Sequence, residues 1–139
     1  EDVIWRRTNT GRIYVWLMDG GKIASQFSLI IVNTDWEIAG AGDLDGDGTD
    51  DIILRNQVDG RNWAYIMKEG QISTSTLINE VADLDWQIGN IGDYDGDGKA
   101  DLLWRNETAS RNIIHLMNGT SVKSRGVLRP TDNSWQVAK

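Results

Sequence analysis

The chain of 139 residues contains no cysteine, one proline, one histidine and one phenylalanine. Without cysteine there are no disulfides, no thiolate metal sites and no cysteine nucleophile. That absence fits an exported bacterial or fungal protein as easily as a cytosolic one. No run of eighteen apolar residues occurs, so no membrane-spanning helix is expected. The opening residues, EDVIW, do not read as a signal peptide, and any export signal is expected to have been removed or to lie outside this segment. Basic residues are too few and too scattered to displace counterions from a phosphate backbone, and the formal net charge is −7, which excludes nucleic acid as a partner. No stretch carries a helical period.

What remains is 40% hydrophobic and 25% charged, the balance of an ordinary globular domain, with seven tryptophans among only 139 residues. The tryptophans are regular because the chain repeats itself about every fifty residues. Asp2, Asp51 and Asp101 stand 49 and 50 apart and open the matching stretches DVIWRR, DIILRN and DLLWRN. GRIYVWLMDGG, GRNWAYIMKEG and SRNIIHLMNG follow and align Met18, Met67 and Met117. Each copy closes on a tryptophan (Trp36, Trp86, Trp135) in DWEIAGAGD, DWQIGNIGD and SWQVAK. The chain reads as a single repeat domain, 1–139, with copies at about 1–40, 41–90 and 91–139.

Within a copy, runs rich in β-branched and aromatic residues alternate with Gly, Asn and Asp punctuation, which predicts four short strands. Around the middle copy these fall at 52–55, 62–67, 71–78 and 86–91, the last preceding the next aspartate loop. The third strand is apolar on both faces, with Ile13, Val15 and Leu17 on one and Tyr14, Trp16 and Met18 on the other, so it has to be covered on both sides. Four-stranded sheets of this size, each buried against a neighbour, describe the blades of an all-β β-propeller better than a sandwich or a β-helix. The strand order is out of phase with the chain ends. SWQVAK is a first strand without its blade, and DVIWRR is a second strand without its first. Rings need about four to eight blades, so two outcomes are expected: a homodimer closing a six-bladed ring, or a piece of a longer repeat array.

GDLDGDGTDD at 42–51 and GDYDGDGKAD at 92–101 crowd mutually repelling carboxylates into glycine-rich loops. Numbered from the first aspartate, carboxylates occupy positions 1, 3, 5 and 9: Asp43, Asp45, Asp47 and Asp51, then Asp93, Asp95, Asp97 and Asp101. Position 7, Thr49 or Lys99, offers a backbone carbonyl whatever its side chain. Hard oxygen donors with no nitrogen or sulfur favour calcium over zinc or copper, and their number favours it over magnesium. An EF-hand would need a glutamate at position 12 and flanking helices; here that position is Leu54 or Trp104. The first copy keeps only Asp2, so two Ca2+ sites per chain are expected, and two bound ions would leave a net charge of about −3.

DLDGDGTDDIIL and DYDGDGKADLLW resemble the calcium loops of FG-GAP and VCBS-type repeats, and the WRN…TG…WLMNG…W frame extends the resemblance over all three copies. It implies an extracellular propeller, secreted or at the cell surface, with calcium between the first two strands of each blade.

No catalytic constellation is present, and an enzyme is not expected. His115 aligns with Trp16 and Tyr65 and reads as a packing residue. Arg6, Arg55 and Arg105 recur in register; the plainer reading has them bonding a neighbouring loop, the sharper one has Arg55 and Arg105 touching a sugar or anion. Trp16, Trp63 and Tyr65 are candidates for clefts between blades, where aromatic faces stack on sugars. The functional expectation is a lectin-like module binding a glycan or glycoprotein; the alternative is a protein-binding, adhesive or structural segment of a larger secreted or surface protein. Two N-glycosylation sequons begin at Asn106 and Asn118.

Overall fold

The computed structural model describes residues 2–31 and 33–138. Eleven strands and no helix occur among them, in three antiparallel meanders. The first sheet is β1 (Val3–Arg6), β2 (Arg12–Asp19) and β3 (Lys22–Ile31). The second is β4 (Trp36–Gly42), β5 (Asp51–Asn56), β6 (Arg61–Lys68) and β7 (Gln71–Glu80). The third is β8 (Trp86–Gly92), β9 (Asp101–Asn106), β10 (Arg111–Asn118) and β11 (Ser121–Val127). Sequence neighbours pair throughout, as expected of short connections. The four strands foreseen for the middle copy lie within two residues of the observed bounds.

The register repeats as the sequence does. Ile52 pairs with Tyr65 and Leu54 with Trp63 in the second sheet. Leu102 with His115 and Trp104 with Ile113 take the same places in the third, and Val3 with Trp16 and Trp5 with Tyr14 in the first. A bulge falls before Met18, Met67 and Met117 alike.

The middle sheet is covered on both faces, and every residue of β5 is buried. Alternation along the strand sends consecutive residues to opposite cores. Ile53, Ala64 and Ile66 join Ile88, Leu102, Trp104 and Met117 of the third sheet. Ile52, Leu54, Tyr65 and Met67 join Ile13 and Val15 of the first. Burying a side chain of this size contributes about 1.5–3 kcal/mol, so the stacking of sheets, not any single sheet, holds the fold.

One feature differs from the reading of the sequence. Residues 135–138 form no strand, although Trp135 aligns with the first residues of β4 and β8, and Trp135 is 66% exposed. A strand exists only through its ladder, and this segment has no ladder partner among the described residues. The first sheet has three strands, with β1 paired to β2 alone, as expected of DVIWRR read as a second strand without its first.

Candidate functional site

Each aspartate loop is the corner between the first two strands of a four-stranded sheet: β4 to β5, and β8 to β9. The corner folds on its own carboxylates. Asp43 Oδ1 accepts from the backbone N–H of Gly46 (2.7 Å) and Asp47 (3.1 Å), and its Oδ2 from Gly48 (2.7 Å). Asp45 Oδ1 accepts from Asp47 N–H and Asp47 Oδ1 from Thr49 N–H. The second loop repeats all five bonds with Asp93, Asp95 and Asp97. Gly46, Gly48, Gly96 and Gly98 sit at φ between 78° and 91°, which is why positions 4 and 6 are glycine in both loops.

The ninth-position aspartates anchor the corner from beneath. Asp51 is fully buried; its Oδ1 accepts from Met67 N–H (2.9 Å) and its Oδ2 from Leu44 N–H (2.8 Å). Asp101 does the same with Met117 and Tyr94. Burial pushes the Asp51 carboxyl up to about 6, against the pull of these two amides, and Asp45 and Asp43 add to the rise.

Carboxylate oxygens of Asp43, Asp45 and Asp47 lie within 4.8 Å of one another, as do those of Asp93, Asp95 and Asp101. The converging trio thus includes the fifth-position aspartate in the first loop and the ninth-position one in the second, and the second loop also receives a lysine. Lys123, on β11, places its ammonium 2.7 Å from Asp95 Oδ2 and 2.8 Å from Asp97 Oδ2, and holds the Asp97 carboxyl below the usual carboxylate range. The equivalent residue on β7 is Ser73, which bonds the Ile66 carbonyl instead. Lys99 turns its ammonium to Asn118 Oδ1, 2.8 Å away. Nothing in the spacing of the aspartates pointed to Lys123; it is found only by counting the register across β10 to β11.

The repeated arginines serve as buried staples. Arg55, 1% exposed, donates to the carbonyls of Gly60, Val81 and Asp83 and to Asn62 Oδ1. Arg105 donates to Asn112 Oδ1 and to the carbonyls of Thr131 and Asp132. Both guanidinium groups are thus engaged with the chain leaving the last strand of their own sheet. Of the aromatic candidates, Trp63 and Tyr65 come together with Trp36, Leu54 and Ser75 around a recess of about 240 Å³. Trp63 stands edge-on to Trp36, ring centroids 6.3 Å apart, and its Nε1 donates to Ser75 Oγ. Trp16 lies elsewhere, against Trp5 on the first sheet, at the place that Tyr65 holds on the second. His115 packs on Trp104 in the third sheet, 5.5 Å between centroids. Of the sequon asparagines, Asn106 is buried and accepts from Ala109 N–H, whereas Asn118 is exposed.

Residues 43–104 match the family of FG-GAP-like repeats. The chain carries an FG-GAP-type repeat. The matched stretch begins on the first aspartate of the first loop and ends on Trp104, so it spans both loops and most of the second sheet. No curated protein and no solved structure matches the chain. FG-GAP-type repeats occur in extracellular proteins and are generally non-enzymatic, and one here suggests a non-catalytic module of the binding or adhesion type. Among the described residues no helix is long and apolar enough to cross a membrane.

Proposed function

We propose that this FG-GAP-type chain is a non-catalytic, calcium-stabilised extracellular module, built of propeller blades, that takes carbohydrate at an aromatic recess on the face of its second sheet. The observation that carries the calcium reading is the convergence of three carboxylates in each loop. Oxygens held 2.3–2.6 Å from one Ca2+ ion lie at most about 5 Å apart, and the 4.8 Å limit within both aspartate groups meets that condition. The ammonium of Lys123 among the second loop's carboxylates is a further sign that this corner attracts a cation. Asp43, Asp45 and Asp47 would hold one ion, and Asp93, Asp95 and Asp101 another, with Thr49 and Lys99 offering main-chain oxygen. Bound calcium would supply positive charge that offsets carboxylate repulsion and ties the corner shut. At 10 to 100 times its dissociation constant each ion adds roughly 1.4–2.7 kcal/mol to stability.

The carbohydrate reading rests on the recess bounded by Trp36, Trp63 and Tyr65, which offers aromatic surface beside the hydroxyl of Ser75. Aromatic side chains with a polar edge are suited to amphipathic ligands such as sugars. A glycan array in calcium, repeated with Trp63→Ala, tests it. Saturable binding to a defined glycan class that this substitution abolishes is the expected result. No glycan above background transfers the role to a protein ligand, the alternative favoured by exposed Val127, Leu128 and Trp135 near the end of the third sheet.

A further inference from the structure

The chain contains one asparagine followed by glycine, Asn118-Gly119, and the fold places it where β10 turns into β11. Asn118 pairs with Ser121, so Gly119 and Thr120 alone make the turn. Gly119 sits at φ 65°, in the left-handed region that a two-residue hairpin turn requires. A Cβ placed on it would meet nothing within 4 Å, so the turn is open on that side. Asn118 is exposed, and among the described residues neither its Nδ2 nor the Gly119 N–H donates a hydrogen bond.

The side-chain oxygen of Asn118 is engaged. Lys99 Nζ stands 2.8 Å from Asn118 Oδ1, and an ammonium has only donors, so the carbonyl oxygen is the atom that faces it. The stem of Lys99 lies along the first aspartate loop: its Cγ and Cε are 3.3 and 3.7 Å from the position that a Cβ would take at Gly46. Next to it, Ala100 N–H donates to the Asp43 carbonyl at 2.7 Å. These contacts restrain the side chain at both its root and its stem, and hold the ammonium at Asn118. The residues at the equivalent place in the other two hairpins are Asp19 and Lys68, which carry no side-chain amide.

We propose that Asn118 is a site of spontaneous covalent modification, a deamidation assisted by Lys99. The Gly119 nitrogen loses its proton to solvent and attacks Asn118 Cγ, forming a C–N bond that closes a five-membered imide. Negative charge gathers on Oδ1 in the tetrahedral intermediate, where the Lys99 ammonium already stands. The Cγ–Nδ2 bond then breaks, and the amide nitrogen takes up a proton from water and leaves as ammonia. Hydrolysis adds one water across either C–N bond of the imide, giving aspartate or isoaspartate. In sum one water is consumed and one ammonia released, with no oxidant and no cofactor. Aspartate puts a new carboxylate beside Lys99. Isoaspartate adds a methylene to the main chain of the turn leading into β11, the strand that bears Lys123. The proposal rests on this turn and on neither the calcium nor the carbohydrate reading.

The test ages the full chain for weeks in EDTA at neutral pH, folded and in urea, as the parent and as Lys99→Met and Lys99→Arg. Circular dichroism checks that each variant is folded, and Lys99→Gln replaces Lys99→Met should that variant not fold. Peptide mass spectrometry follows the conversion of amide to acid at Asn118, and enzymatic methylation of isoaspartate identifies the isomer. The folded parent should convert at least about fivefold faster than Lys99→Met, because the ammonium stabilises charge that develops only during the reaction. Lys99→Arg should restore most of the rate. In urea, where Lys99 has left the carbonyl, all the chains should convert alike. No conversion at Asn118 in the folded parent, equal rates in the folded parent and Lys99→Met, or the same effect of Lys99 in urea overturns the proposal. A Lys99→Arg rate as low as that of Lys99→Met does so too, for then the charge is not what acts.

Discussion

Leu44 and Tyr94 occupy the same position in two loops with matching hydrogen bonds, yet one is 0% and the other 45% exposed. Leu44→Ala removes a fully buried side chain from the core between the second and third sheets, where flanking strands restrict collapse. Such a change costs about 2–5 kcal/mol, and about 3 kcal/mol is expected here. For a chain of this length that lowers the melting temperature by roughly 10 °C. Tyr94→Ala loses a half-exposed ring whose hydroxyl accepts from Asn90 Nδ2, so about 1 kcal/mol or less is expected. Circular dichroism melts and urea titrations of the two variants at one fixed calcium concentration compare them directly. Equal losses, or a Leu44→Ala loss below about 1 kcal/mol, would refute the claim that the first loop is plugged into the core.

Other outcomes follow from side chains near the loops and in the third sheet. Lys123→Ala frees Asp95 and Asp97 from a half-exposed ammonium; such pairs are worth little each, so calcium affinity of the second loop should rise only about fivefold. Calorimetric titration resolves this, and unchanged or weaker binding contradicts it. His115 is pushed down to about 4, first by burial and then by the charge of Arg125. The unfolded chain takes up that proton near 6.5 and the folded chain does not. His115 therefore leaves stability intact above 6.5 and erodes it as the pH falls from 6.5 toward 4, by up to about 3 kcal/mol. His115→Tyr, the residue at the equivalent place on β6, should flatten that slope in urea midpoints measured against pH. Asp51, raised to about 6, acts in the opposite sense in the metal-free chain, so the difference between variant and parent is the quantity to read. Identical slopes count against the assignment.

Much of the fold could be read from the sequence because its signals are local. Alternating apolar residues set the strands, glycine and aspartate set the corners, and the fifty-residue spacing of the tryptophans set the number of sheets. The carboxylate spacing likewise marked the loops, since positive φ at the fourth and sixth places can be inferred from glycine alone. Features depending on what lies across an interface were not legible. Leu44 and Tyr94 look interchangeable until the neighbouring sheet is placed. Lys123 reaches Asp95 and Asp97 only through a bulged register. Residues 135–138 have the pattern of a strand but lack a ladder among the described residues, which no local pattern reports.

The role proposed for the two aspartate corners requires that they bind calcium and lend its binding energy to the fold. Thermal unfolding of the full chain in EDTA and in millimolar calcium, paired with calorimetric stoichiometry, measures this directly. Two ions per chain are expected, with a melting temperature that rises by several degrees in calcium and falls back in EDTA. A melt that is the same in both, or a chain that binds no calcium, contradicts it.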